Sequence, residues 1–179
     1  MTENEMIYLS RQFANMFGTP VRLYKNHEQI YCFSTLDFIA DPIILCINKI
    51  MKINSEVGYY IDNNFLYYGI VNHNNYKFVC GPVSEIKKSK NELKKIAISL
   101  NISDNDIPTF ISQLTSLSGI HLDTVIQSII LYNFTVNGSM YDISDIRIKK
   151  SEQKSISSEI KTNEFKICLL YTSPSPRDS

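Results

Sequence analysis

The chain has 179 residues, 44% of them hydrophobic and 20% charged, and its 18 basic residues balance 18 acidic ones. This composition suits one globular domain, and the zero net charge gives no overall attraction to a polyanion, so we do not expect nucleic acid as a direct partner. No apolar run is long enough to cross a membrane, and the acidic N-terminus is unlike a signal peptide, so we expect a cytoplasmic protein with no membrane partner.

The chain begins with a predicted helix and hairpin. Thr2 and Glu5 have the spacing of a capping box, and Gly18 is a helix-ending residue. Two β-rich runs, at residues 20–25 and 28–34, follow on either side of a polar turn. Short polar turns favour antiparallel neighbours, so these runs predict a hairpin.

A second helix and a three-stranded meander are predicted next. Asp41 and Pro42 form a helix start, and residues 43–52 carry a wide apolar face. Polar clusters then separate three more β-rich runs, at residues 57–61, 65–71 and 76–81.

Helical periodicity replaces strand alternation after the meander. Ser89 begins a capping box, Asp106 and Pro108 start another helix, and residues 122–136 form the last apolar helical pattern. From residue 138 onward the chain is polar and serine-rich, which is typical of a linker.

The order of these elements predicts the fold class. Two strands, a helix and a three-stranded meander occur in this order in PAS and GAF-like sensor folds. We therefore expect an α+β domain at residues 1–137, with a PAS/GAF-like five-stranded antiparallel sheet and its helices in residues 1–83. A C-terminal helical part would occupy residues 89–136.

The sequence shows no recognisable catalytic or metal-binding motif. Its glycines are isolated, which excludes a phosphate-binding loop, and no nucleophile motif occurs. Cys32, Cys46 and Cys80 are scattered without a C-x-x-C pair, and the three histidines are far apart in sequence. We expect a protein that is not an enzyme, with reduced thiols and neither a metal nor a cofactor.

Tyrosines are the candidate ligand-binding residues, since the chain has 11 of them. Neighbours such as Tyr67 and Tyr68 must point to opposite faces of a strand. Either helices cover both sheet faces, or one aromatic face remains for a pocket or a partner. The simplest pocket would lie beside Tyr59, Tyr68 and Cys80, under the helix at residues 43–51.

The last predicted helix is apolar around most of its circumference. Ile130 and Phe134 lie off the stripe that contains Leu122, Ile126 and Ile129. Such a helix buries two sides most simply by also packing against a second copy. A homodimer with Leu122, Ile126 and Ile129 in its seam is one expectation, and a monomer is an equal alternative.

Several short phrases resemble one family of proteins. They are Phe17-Gly-Thr-Pro-Val-Arg-Leu-Tyr-Lys25, Val57-Gly-Tyr-Tyr-Ile61, Tyr68-Gly-Ile-Val71 and Phe78-Val-Cys-Gly-Pro82. Residues 5–137 thereby resemble the N-terminal sensor part of AraC/XylS-type transcription regulators of Gram-positive bacteria, particularly those that control YSIRK-type surface antigens. The resemblance implies a domain that dimerises, responds to an unknown small-molecule or protein effector, and contacts DNA only through a C-terminal domain with two helix-turn-helix units.

The C-terminal run differs in composition from the rest of the chain. Residues 168–179 resemble one reading frame of a transposon-based sequencing adapter and are interpreted as an artefact. The natural chain is therefore expected to continue past Ile167, with residues 138–167 as a linker to the DNA-binding domain. Two alternatives stay open: the PAS/GAF-like input domain of a bacterial signal-transduction kinase or cyclase, and a free-standing binding protein.

Overall fold

The computed structural model describes residues 1–147. Residues 1–141 form one compact unit, and residues 142–147 belong to a second. Most of the expected linker at residues 138–167, and all of the adapter-like run at residues 168–179, lie outside the described residues.

A five-stranded antiparallel sheet forms the middle layer of the larger unit, with the spatial order β2-β1-β5-β4-β3. The strands are β1 (Val21–Lys25), β2 (Glu28–Phe33), β3 (Val57–Ile61), β4 (Tyr67–His73) and β5 (Tyr76–Val83). The predicted α+β class and the predicted order of hairpin, helix and meander are confirmed.

The helices pack around this sheet, and four of their ends carry the capping residues that the sequence indicates. They are α1 (Glu3–Phe17), α2 (Ile47–Met51), α3 (Lys90–Ser99), α4 (Ile107–Ser116) and α5 (Leu122–Asn137), and a 3-10 helix covers Pro42–Leu45. Capping boxes form at Thr2 and at Ser89. Gly18 and Gly138 end α1 and α5 in the left-handed conformation that glycine adopts without strain.

The single helix predicted at residues 43–52 is wrong. A 3-10 helix and the short helix α2 replace it, and they meet at Cys46, whose φ is −137°. Residues three apart eclipse one another in a 3-10 turn, so Ile43 and Cys46 both reach the core. Ile44, which would share the buried face of a continuous helix, is 65% exposed.

Strand β5 continues to Val83, two residues beyond the run predicted at residues 76–81. The last pair between β1 and β5 joins Val21 to Cys80, so Pro82 lies beyond the end of the neighbouring strand. Pro82 has no backbone amide to donate, and at this position no β1 residue lies opposite it to require that hydrogen bond. The β4–β5 register shifts between Tyr67 and Gly69 at the same place.

Helices cover both faces of the sheet. On one face, Phe78 packs against Phe13 of α1 and stacks on Tyr132 of α5, with ring centroids 5.0 and 3.9 Å apart. On the other face, Tyr68 and Val79 belong to a core cluster with residues of the 3-10 helix, α2, α3 and α4. Of the two alternatives that the tyrosine pattern left open, the one in which helices cover both sheet faces therefore describes this sheet.

Candidate functional site

The structure separates the three predicted pocket residues. Tyr59 pairs with Gly69, and Gly69 pairs with Cys80, so Tyr59 and Cys80 lie on the sheet face that α5 covers. Tyr68 is adjacent to Gly69 along the strand and points to the opposite face. The expected pocket of Tyr59, Tyr68 and Cys80 is therefore wrong.

Side chains occupy the space beside Tyr68 where the pocket was expected. Ile43, Cys46 and Ile50 pack there in the same core cluster as Tyr68, which is fully buried. The hydroxyl of Tyr68 has no hydrogen-bond partner among the described residues. Burial raises the pKa of Tyr68 well above its ordinary value, and the nearby Cys46 thiol adds to the effect.

The predicted dimer seam also needs correction. Ile126 and Ile129 are both 0% exposed, and Leu122 is partly buried. Ile129 packs over Gly69 of β4. Ile126 and Ile129 are therefore buried within their own domain and are unavailable to a second copy. The exposed large apolar residues of α5 are Leu131 and Phe134.

A cavity of about 110 Å³ lies between the end of α1, strand β5 and the first half of α5. Its walls are mostly apolar, and none of the described residues that line it carries a charge. The lining consists of Phe17, Thr19, Cys80, Gly81, Val83, Ile120, Thr124, Val125 and Ser128. Of the predicted pocket residues, Cys80 alone lines it.

Four of the lining residues have polar side chains, namely Thr19, Cys80, Thr124 and Ser128. The Oγ of Ser128 donates a hydrogen bond to the Val125 carbonyl at 2.8 Å, which leaves its lone pairs able to accept. The Oγ1 of Thr19 is buried and has no hydrogen-bond partner within residues 1–147. Burial raises the pKa of the Cys80 thiol to about 12, so this thiol is neutral at physiological pH.

The backbone around Thr19 is fixed on both sides. The amide of Gly18 donates to the Ala14 carbonyl at 2.9 Å and so ends α1. The Pro20 carbonyl accepts from the Gly81 amide, also at 2.9 Å. Gly81 itself has φ +112°, and a Cβ there would collide with the Tyr67 carbonyl oxygen. The backbone is therefore held by hydrogen bonds on both sides of Thr19, at Gly18 and at Pro20.

Helix α5 is attached to the sheet at both of its ends. Before its first turn, the Ser84 carbonyl at the end of β5 accepts from the amides of Gly119 and Ile120 at 2.8 and 3.2 Å. At its last turn, the Asn137 side chain donates to the Asn72 carbonyl at 2.9 Å. The cavity lies under the first half of this doubly attached helix.

A hydrogen bond joins α1 to α5 beside the cavity. The hydroxyl groups of Ser10 and Tyr132 are 2.9 Å apart, and both residues are buried. Burial raises the pKa of Tyr132 to about 12, so its hydroxyl stays protonated and can donate. Because Tyr132 also stacks on Phe78, the two helices and β5 are held at a fixed spacing.

A second, more polar cavity of about 210 Å³ lies at the hairpin end of the sheet, with Lys77 in its lining. The Lys77 ammonium donates to the carbonyls of Ile50, Met51 and Ile53 at 3.1, 3.1 and 2.6 Å. Burial lowers its pKa to about 8. All three ammonium donors are used in holding the end of α2, so Lys77 acts here as a structural residue.

Comparison with protein-family models, with curated proteins and with solved structures gives no match to the chain. Within residues 1–147, no group of three or more His, Cys, Asp or Glu side chains could hold a metal ion. In that part of the chain, no helix combines the length and the hydrophobicity that a membrane crossing requires.

The residues that surround the cavity were mostly missed by the sequence analysis. Thr19 belongs to a loop with no periodic pattern, so no signal marks its side chain as buried. Ser128 does leave a signal, because it interrupts the buried apolar stripe of Val125, Ile126 and Ile129. A buried polar residue in such a stripe indicates a local need for a hydrogen-bonding group.

Proposed function

We propose that residues 1–137 form the regulatory domain of an AraC-type transcription regulator that acts in the cytoplasm. In this proposal, filling of the cavity beneath α5 is transmitted through α5 to a C-terminal DNA-binding domain. The position of the cavity is the observation that supports the proposal. Val125 and Ser128 line it, and they belong to the last helix before the polar segment.

The transmission requires two arrangements of α5 that differ in their affinity for the ligand. A ligand shifts such an equilibrium only by the difference between its two affinities. A tenfold preference for one arrangement corresponds to about 1.4 kcal/mol, which is within the ordinary range of allosteric coupling. We expect the contact between the Asn137 side chain and the Asn72 carbonyl to differ between the two arrangements, because it lies at the end of α5 that leads to the C-terminal segment.

A second copy of the chain is the partner that we propose for the outer side of α5. Leu131 and Phe134 are 56% and 46% exposed there, although both are large apolar side chains. A dimer would place two DNA-binding domains on one DNA molecule, which is how regulators of this type recognise paired half-sites. This face replaces the predicted seam at Leu122, Ile126 and Ile129.

The decisive experiment for this function is to sequence the uninterrupted gene beyond the codon for Ile167. The expected result is a continuation that encodes two helix-turn-helix units. A phosphoacceptor helix or a cyclase domain would instead support the input-domain alternative. A natural stop codon close to Ile167 would support a free-standing binding protein and would overturn the regulator proposal.

The full-length product then allows a direct functional measurement. We expect it to retard DNA from its own promoter region in an electrophoretic assay, and we expect a cavity-filling Ser128→Leu variant to change the apparent affinity. The matched control is Thr135→Val, since Thr135 is an exposed residue of the same helix. If neither protein binds any promoter fragment, the proposed function is wrong.

A further inference from the structure

We propose that the cavity beneath α5 binds a small uncharged hydrocarbon, of about the size of benzene and without hydrogen-bonding groups. The inference takes its biological role from the proposed function and deepens it by naming the ligand class. Its physical basis is the volume of the cavity, the absence of charge among its described lining residues, and the state of its polar groups, which are already bonded or enclosed.

The volume limits the ligand to a small molecule. An engineered apolar cavity of roughly 150 Å³ binds benzene, whereas sites for drug-sized ligands occupy about 300–1,000 Å³. The cavity here measures about 110 Å³. A nucleotide, a flavin or a disaccharide is therefore too large, and a molecule with one ring or a short branched chain fits.

Several polar groups of the lining are already bonded within the protein. The Gly81 amide donates to the Pro20 carbonyl, and the Gly81 carbonyl accepts from the Arg22 guanidinium. The Ser128 hydroxyl donates its hydrogen to the Val125 carbonyl of its own helix. None of these donors is left for a ligand in the cavity.

The other polar side chains of the lining offer a ligand little more. The Thr19 hydroxyl oxygen is fully enclosed by protein atoms, so a molecule in the cavity does not reach it. Burial raises the pKa of the Cys80 thiol to about 12, and a neutral thiol is only a weak donor and acceptor. Thr124 is exposed, which places it at the rim of the cavity. The interior is therefore suited to a ligand that needs no hydrogen bond.

The apolar side chains of the lining provide the attraction. They are Phe17, Val83, Ile120 and Val125. Water between such walls is poorly bound, because a buried water needs about two to four polar partners, and an apolar molecule that displaces it gains hydrophobic and dispersion energy. A carboxylate or an ammonium group would instead lose its hydration without gaining a counter-charge from the described lining residues.

Access to the cavity is available at the start of α5. Thr124 lines the cavity and is itself exposed, whereas Val125 and Ser128 behind it are buried. A small ligand can therefore enter beside Thr124 without separating α5 from the sheet.

The experiment uses the complete 179-residue chain with benzene and phenol as probes. Methyl-selective NMR follows Val83, Ile120 and Val125 during titration with each compound. We expect saturable shifts of these methyl groups with benzene. Phenol should bind at least about fivefold more weakly, because its hydroxyl loses water without gaining an equivalent hydrogen bond. Phenol binding as tight as benzene binding would overturn the apolar ligand class.

Two variants at exposed positions of α5 locate the binding. Thr124→Phe adds a ring at the rim of the cavity and should weaken benzene binding at least about tenfold, because it occupies space that the ligand needs. Thr135→Phe is the matched control, since it makes the same substitution near the other end of the helix, and it should leave the affinity unchanged. Equal benzene affinity in both variants, or shifts that do not saturate, would overturn the site.

A third variant fills the interior of the cavity. Ser128→Leu should abolish benzene binding in a protein that stays folded, and benzene binding retained in a folded Ser128→Leu protein would also overturn the site. Because Ser128 is buried, Thr124→Phe supplies the result that does not depend on how the core tolerates the added volume.

These outcomes are distinguishable from a failure of the proposed function. Benzene binding is measured on this chain alone and needs no DNA. A gene without helix-turn-helix units would remove the regulator but leave the binding result unchanged, and absence of benzene binding would leave the gene result unchanged.

Discussion

Ile129 lies directly over Gly69, so closely that a Cβ on residue 69 would be 2.5 Å from the Ile129 Cγ2. The same Cβ would lie 2.7 Å from the Cys80 Sγ. The absence of a side chain at residue 69 therefore sets the distance between α5 and the sheet, and it allows α5 to form one wall of the cavity.

The first prediction concerns this close contact. Gly69→Ala should lower the free energy of unfolding by about 1–3 kcal/mol, because α5 must shift to accommodate the methyl group. Gly58→Ala on the adjacent strand is the control, since its new Cβ would meet the end of the flexible Ser55 side chain at 2.9 Å. Urea unfolding of both variants measures the difference, and an equal loss would contradict the prediction.

The second prediction concerns a buried ion pair. Arg22 is 1% exposed, and its guanidinium binds both carboxylate oxygens of Asp41 at 2.6 and 2.7 Å and also the Gly81 carbonyl. Asp41→Ala should cost about 2–4 kcal/mol, because it leaves a buried cation unpaired. The double variant Arg22→Met with Asp41→Ala should be more stable than Asp41→Ala alone. A double-mutant cycle by urea unfolding tests this, and additive losses would refute it.

The third prediction concerns the three thiols within residues 1–147; the fourth cysteine, Cys168, lies outside the described residues. Cys32 is exposed, whereas Cys46 and Cys80 are buried and their pKa values are raised by burial to about 11 and about 12. Desolvation also raises the pKa of Cys32, and the thiolate is the reactive form, so iodoacetamide at pH 8 should label Cys32 slowly and should label Cys46 and Cys80 only after unfolding. Peptide mapping by mass spectrometry identifies the labelled residues. Fast labelling of Cys80 in the folded protein would contradict the described burial.

The fourth prediction concerns pH. Burial lowers the pKa of Lys77 from its ordinary 10.5 to about 8, so between these pH values the unfolded chain binds more protons than the folded one at this residue. Its contribution to stability therefore rises from pH 8 to about 10.5, with a slope of at most about 1.4 kcal/mol per pH unit. The buried thiols and phenols have raised pKa values and act in the opposite direction above pH 9, so the comparison must be with Lys77→Met.

The comparison with Lys77→Met isolates the pH dependence of stability that comes from Lys77 itself. The stability of the wild type relative to Lys77→Met should increase as the pH rises from 8 to 10, even while both proteins become less stable. Urea unfolding at each pH provides the values. A difference that stays constant across this range would show that the pKa of Lys77 is not lowered.

The fifth prediction distinguishes the two sides of α5. Replacing Leu131 and Phe134 together by Glu should leave the protein folded and should convert a dimer to a monomer in sedimentation experiments. Replacing Ile126 and Ile129 by Glu should instead unfold the protein, because it buries two charges in the core. An unchanged sedimentation coefficient in a folded Leu131 and Phe134 variant would overturn the proposed dimer face.

Local sequence signals predicted the elements of this fold more reliably than their contacts. The capping boxes at Thr2 and Ser89 are purely local, and both form. The contact between Tyr68 and Cys46 depends on how Asp41 is held by Arg22, which is 19 positions away in the sequence. The ion pair between Arg22 and Asp41 holds the start of the 3-10 helix. The hydrophobic pattern of the sequence gives no signal of this ion pair.

The candidate site could not be predicted for a related reason. Its walls come from a loop residue, Thr19, a strand residue, Cys80, and a helix residue, Ser128, which are distant in sequence. Alternation places Cys80 on one sheet face, but it does not say which helix covers that face. The assignment of Ile126 and Ile129 to a dimer seam failed in the same way, since a helix pattern shows which residues are buried but not what buries them.

The space beneath α5 also has a mechanical consequence. Unfolding eliminates the imperfectly packed space inside a folded chain and so lowers the volume of the system, and hydrostatic pressure therefore favours unfolding. A compound that fills the cavity more completely than water does removes part of this volume difference. The domain should accordingly withstand compression better when it is occupied, and high-pressure fluorescence of its tyrosines would register occupancy by a molecule that has no spectroscopic signal of its own.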